Sequence, residues 1–206
     1  MFKSKLIHLC LGLVAAIALA VPSASTALAA PPANDNFADA QVITELPFSI
    51  SVDITEATTE PDEPQPCGYL PWTVWFSYTP ATDVVLRADM EGTQIWATLR
   101  VYRAVGPNIT DLEYMDCVDY DRPSFTFTAE AGVAYYFQAG SIEIPGLVQV
   151  NLEQIPPPEN DNFANAKEII LGESHPVDNT GAGIEANEPI PSCLWWGPLS
   201  NTVWFR

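Results

Sequence analysis

"TVWFSYTPATDVVLRADM", running from Thr73 to Met90, alternates apolar and polar residues on both sides of a short break. Val74, Phe76 and Tyr78 share one face of the first half, and Val84, Leu86, Ala88 and Met90 share one face of the second. Extended chain points successive side chains to opposite faces, so a period of two marks a half-buried strand. The "TPATD" between the halves has the chemistry of a turn. Outward from this hairpin-like stretch the pattern recurs. "WATLRVY" aligns Ala97, Leu99 and Val101, "SFTFTA" aligns Phe125, Phe127 and Ala129, and "AYYFQAG" aligns Tyr135, Phe137 and Ala139. "GLVQVNL" offers either Leu147 with Gln149 or, in better accord with the rest, Val148, Val150 and Leu152. Turn signals at Gly92, Gly106, Pro123, Gly132 and Gly146 separate these runs. About eight short strands so punctuated predict an all-β fold, an antiparallel β-sandwich of jelly-roll-like type. Only "NDNFADAQVI", from Asn34, reads as helical: a short N-terminal turn or two capped by Asn34 or Asp35, with Phe37, Ala40 and Ile43 facing inward.

That opener occurs twice, since "NDNFANAKEI" begins at Asn160. "EPDEPQPC" at Glu60 is echoed by "EANEPIPSC" at Glu185, and "TVWF" at Thr73 by "TVWF" at Thr202. A period of this size is that of a domain rather than of a solenoid repeat. The sequence therefore predicts a first unit over 32–155, a stiff "PPPE" linker over 156–159, and a second unit over 160–206 that stops partway through the pattern, as in a fragment of a longer chain.

Residues 1–30 have the order of a signal peptide: Lys3 and Lys5, an apolar run, then "STALAA" before Pro31. Two of the 8 Lys+Arg and none of the 26 Asp+Glu fall in this leader, so the remainder carries 6 basic against 26 acidic groups, a formal −20. Such a surface repels nucleic acid and anionic membranes, which are excluded as partners. In the oxidising compartment that a leader implies, Cys67 and Cys117 are the only pair within the first unit, and a disulfide between them is expected. Cys193 repeats the position of Cys67 in the second unit without a partner in the sequence.

The ordered succession of "NDNFADA", "ATTEPDEP", "TVWFSYTP", "LRVYR", "MDCVDYD" and "AGVAYYFQAG" resembles the bacterial pre-peptidase C-terminal-like (PPC-like) domains. The resemblance implies a calcium-tolerant jelly-roll sandwich, found in tandem in secreted or cell-surface proteins or appended to hydrolases, with roles in adhesion, substrate binding or secretion. Where members of that family often carry Asp-Thr ahead of the "LxVY" strand, this chain has Trp96 and Ala97, which removes any polar or metal role of that pair.

Catalytic constellations are missing from the text of the sequence. Beyond the leader the one histidine is His175, and no HExxH, GxSxG, phosphate-binding glycine loop or CxxC is present. Carboxylates are plentiful. "MDCVDYD" reads as a turn holding Asp116, Asp119 and Asp121, hard oxygen ligands that with backbone carbonyls could hold calcium although they lack the EF-hand spacing, and Glu60, Asp62 and Glu63 form a second acidic segment. Among the aromatics, Tyr69 and Trp72 lie in a proline-bounded loop beside Cys67 and are the candidate ligand-binding residues. The expected function is non-catalytic: a secreted or cell-surface module that binds an extracellular glycan or protein, or acts as a spacer in a longer chain. The alternative is an accessory domain of a secreted hydrolase whose catalytic domain lies outside this sequence.

Overall fold

A computed structural model describes residues 30–185, 188–189 and 201–206, so the expected leader, Cys193 and the Trp195–Trp196 pair lie outside the described residues. In chain order the strands are β1 (Gln41–Val42), β2 (Phe48–Asp53), β3 (Trp72–Tyr78), β4 (Val84–Asp89), β5 (Ala97–Ala104), β6 (Leu112–Val118), β7 (Ser124–Ala129), β8 (Tyr135–Ser141) and β9 (Leu147–Ile155). They build two sheets, ordered β1-β3-β8-β5-β6 and β2-β9-β4-β7. The antiparallel pairs β2·β9, β3·β8, β4·β7 and β5·β6 nest inside one another like a single long hairpin, and β4·β9 and β5·β8 close the roll. This is the strand order of a jelly roll, to whose five-stranded sheet β1 adds in parallel beside β3.

The core lies between the sheets and is made by the faces that alternation marks out. Val74 and Phe76 of β3, Leu86 and Ala88 of β4, Leu99 and Val101 of β5, Phe127 of β7, Phe137 and Ala139 of β8 and Val148, Val150 and Leu152 of β9 are all buried in one cluster. β2 joins them with Phe48, Ile50 and Val52 inward and Ser49, Ser51 and Asp53 outward.

Two local readings are corrected. The "NDNFADA" opener forms a single 3-10 turn, Phe37–Asp39, with no side-chain cap at Asn36. Asn34 and Asp35 are buried and engaged elsewhere: Asn34 Nδ2 donates to the Trp75 carbonyl (2.9 Å), and Asp35 accepts from the Thr58 amide and hydroxyl (2.6 Å each). A residue committed to a neighbouring strand does not cap a helix, so the turn does not propagate. The "MDCVD" stretch is not a turn over its whole length: Asp116 and Cys117 belong to β6, and only residues 119–123 turn. β6 is the edge of its sheet, where charged residues on a strand are the rule because they discourage further pairing.

The described residues between 160 and 206 reproduce opening contacts of residues 34–76. Asn160 Nδ2 donates to Trp204 O as Asn34 does to Trp75 O, and the Gly183 amide donates to Asp161 as the Thr58 amide does to Asp35. Glu185 receives the Phe163 amide and Thr202 donates to Glu188, as Glu60 receives the Phe37 amide and Thr73 donates to Glu63. The bridge Lys167–Phe205 is parallel, as is the pairing Gln41–Phe76. Phe163 meets Trp204 edge-on at 5.0 Å, and Phe37 meets Trp75 edge-on at 5.4 Å. Asp178 and Asp53 each accept the amide two residues ahead, from Thr180 and Thr55, and both carboxyls are held below the usual range by the hydroxyls of these threonines first and their amides second.

Candidate functional site

Two regions outside the core hold unusual chemistry. One is the outer face of the five-stranded sheet. Its residues Thr73 and Trp75 (β3), Arg100 and Tyr102 (β5) and Gln138 (β8) point away from the core, yet all are buried. The cover is the segment 54–71 between β2 and β3, which crosses the sheet as a strap. Leu70, fully buried, anchors its apolar end, and the disulfide Cys67–Cys117 fastens it to β6 with a Cα–Cα distance of 6.7 Å. Gly140 of β8 passes under the strap's return, where a Cβ would stand 2.5 Å from the Trp72 carbonyl.

Beneath the strap Gln138 mediates between opposite charges. Its Nε2 donates to Glu63 (2.6 Å), while its Oε1 accepts from Arg100 Nη1 (2.9 Å) and from the Tyr102 hydroxyl (3.2 Å). Glu63 also accepts from the Glu60 amide (3.1 Å), the Thr73 hydroxyl (3.0 Å) and, at 3.4 Å, the Trp75 indole. Arg100 donates further to the Pro64 carbonyl (3.1 Å) and to the Gly68 carbonyl, while its buried Nε finds no partner. Burial pushes the Glu63 carboxyl up and the Arg100 guanidinium down, because desolvation penalises the charged form of each. Burial likewise pushes the Tyr102 hydroxyl up. No group here is open to a ligand, and the network's work is to hold the strap down.

The second region is a cleft of about 800 Å³ at one end of the sandwich, where the β4–β5, β6–β7 and β8–β9 loops meet. Met90, Ile95, Val118, Pro123 and Ile142 give it an apolar floor, and Trp96 and Tyr120 stand on it with 68% and 89% of their surfaces exposed. Carboxylates of Asp89, Glu91, Asp119 and Asp121 share the lining. Arg87, which lines the same cleft, is paired with Glu153 (3.3 Å) and Asp89 (3.8 Å). The loops are fixed from below. The buried Ser141 hydroxyl lies 2.9 Å from the Trp96 carbonyl and 2.6 Å from that of Ile144, and the Thr93 hydroxyl accepts the Gln149 amide at 2.8 Å. An exposed ring on an immobilised backbone loses little entropy on stacking with a ligand.

The residues singled out in the sequence are distributed over both regions. Cys67 and Cys117 are joined as expected. Tyr69 is 64% exposed on the strap, whereas Trp72 opens β3 half-buried, packed against the core. Asp119 and Asp121 line the cleft; Asp116 sits on β6, where it pairs with Arg122 and accepts the Cys117 amide (2.8 Å). Asp119 Oδ1 accepts the amides of Asp121 (3.0 Å) and Arg122 (2.9 Å), which closes the β6–β7 turn. Among the described residues no three His, Cys, Asp or Glu side chains are gathered to share a cation. Glu60 and Glu63 are spent on the Phe37 amide and on the network under the strap. His175 is half-buried and accepts the Ile170 amide (3.1 Å). Trp96 and Tyr120 are aromatics that the sequence reading did not choose as ligand-binding; Trp96 stands immediately ahead of a strand.

No family model matches the chain, and no curated protein matches it. Among solved structures it is similar to the pre-peptidase C-terminal domain of a collagenase from Bacillus anthracis, with 14% identity over 55% of this chain and 94% of that one and a TM-score of 0.35. It is also similar to PliG of Aeromonas hydrophila, a periplasmic inhibitor of g-type lysozyme, with 11% identity over 55% of this chain and 96% of that one and a TM-score of 0.36.

Proposed function

We propose that the chain is an exported, non-catalytic binding module whose first unit takes a neutral extracellular glycan in the cleft at the end of the sandwich. The observation that carries this reading is the pair of exposed rings, Trp96 and Tyr120, standing on one cleft among carboxylates. Pyranose rings present C–H faces that stack on aromatic side chains, and their hydroxyls donate to carboxylates. Arg87 is already neutralised by Asp89 and Glu153, so the cleft has no free cation for an anionic sugar among its described lining residues. The strong negative charge beyond the leader disfavours the same ligands at longer range. Export is supported by the leader-like start and by the disulfide, a bond that persists in oxidising compartments.

Affinity electrophoresis through gels containing hydroxyethyl cellulose, soluble xylan or glycol chitin tests the site. Retardation by at least one of these neutral polymers is expected, and Trp96→Ala is expected to abolish it while leaving the melting temperature unchanged, because the ring is not part of the core. Free migration through all three, or equal retardation of the variant, would overturn the proposal.

A further inference from the structure

Ile54–Ala57 and Asn179–Ala182 are four-residue turns at matching places in the two units, each closed by an amide donating back to the first carbonyl (3.1 and 3.0 Å), but only the second has a positive φ at its third residue. Their surroundings differ: Ile54 is fully buried, and its counterpart Asn179 is exposed. Glu56 in the first unit is exposed, and its counterpart Gly181 is buried. Gly181 has φ +82°, and a Cβ on it would lie 2.9 Å from Ile155 Cγ2 and 2.9 Å from the Pro156 carbonyl. Ile155 ends β9 and Pro156 begins the linker, so the second unit's turn is pressed on the exit of the first. A backbone carbonyl at that distance does not yield to a side chain as a flexible neighbour would. The one place where the turn repeat loses its side chain is the place where the two units touch.

We propose that this turn is a docking surface between consecutive units: Gly181 seats on Ile155–Pro156 and fixes the second unit's orientation, so that the pair is a rigid body and not two beads on a string. The surface is complementary to the end of β9 followed by proline, and Pro156, Pro157 and Pro158 stiffen the approach. Seating needs glycine twice over, for the positive φ and for the close approach. The inference is independent of what the cleft binds.

Gly172 separates the two requirements. It too has a positive φ, +87°, but nothing lies within 4 Å of the Cβ it lacks. Gly172→Ala therefore carries the backbone strain alone, and Gly181→Ala carries strain plus collision. The measurement is ¹⁵N relaxation on the chain expressed from Ala30. In the parent, amides of 160–185 are expected to report the same rotational correlation time as those of β2 to β9. In Gly181→Ala the second segment should report a correlation time shorter by about twofold, as for a tethered body, with Gly172→Ala like the parent. Independent tumbling in the parent, or equal behaviour of the two variants, would overturn the docking.

Discussion

Glu63 is a buried acid whose neighbours only partly compensate for lost water. Four donors reach it, yet desolvation outweighs their hydrogen bonds and raises its pKa. The sign for stability follows by linkage. A carboxyl that holds its proton more tightly in the folded state contributes fully below the unfolded value, and that contribution is lost as pH rises through the folded one. From about pH 4.3 upward, then, Glu63 costs the fold progressively more. Glu63→Gln keeps an acceptor for Thr73 and Trp75 and cannot ionise. The difference in melting temperature, variant minus parent, is expected to move in the variant's favour between pH 4 and 7. Thermal melts across that range decide it; parallel curves would mean that the carboxylate is solvated and the strap looser than described.

Among the elements, the strap differs most from what an isolated reading of its residues gives. It has no period, four prolines from Pro61 to Pro71, and a fold only through what lies beneath it. The disulfide is its mechanical fastening, and the sequence separation of 50 between the two cysteines makes it a long-loop closure. By the chain-entropy relation its loss destabilises the domain by about 4 kcal/mol. Cys67→Ser with Cys117→Ser is expected to lower the denaturant midpoint accordingly and to make the segment 60–70 the first site of proteolytic cleavage, read by mass spectrometry of the fragments. Removal of the bond with no change in either readout would mean that the buried network alone holds the strap. The strands, by contrast, were legible because alternation reports burial of one face: Val74, Phe76, Leu86, Leu99 and Phe137 were placed inward by spacing and are inward. Alternation does not tell which outer faces a loop will cover. Trp75, Arg100 and Gln138 occupy outward positions and are nonetheless fully buried, and nothing local in the sequence announces it. The proposed binding cleft is likewise not written locally. Tyr69 and Trp72 drew attention by their loop-like context, but β3 begins at Trp72, and the exposed cleft is assembled from three loops far apart in the chain.

For the molecule as a whole, the question is where its cooperativity resides. Every residue of the main hydrophobic cluster lies between Ile43 and Leu152, and all strands of both sheets lie between β1 and β9. The described hydrogen bonds of residues 160–206 are largely among themselves, and Gly181 lies close to Ile155 and Pro156. Docking of that kind orients two bodies but adds little buried apolar surface to the first, and buried apolar surface is what dominates stability. A chain of residues 30–156 is therefore expected to unfold as one cooperative transition. Its midpoint should lie within about 4 °C of the corresponding transition in the longer chain, the shift that ~1 kcal/mol produces in a domain of this size. It should also keep the Cys67–Cys117 bond and whatever neutral polymer the longer chain retains on Trp96. Calorimetry and the same affinity gels supply both readings. Retention of the glycan with a much lower midpoint would place part of the first unit's stability in the interface with the second. A loss of cooperativity would mean that the sandwich described here is not an independent folding unit.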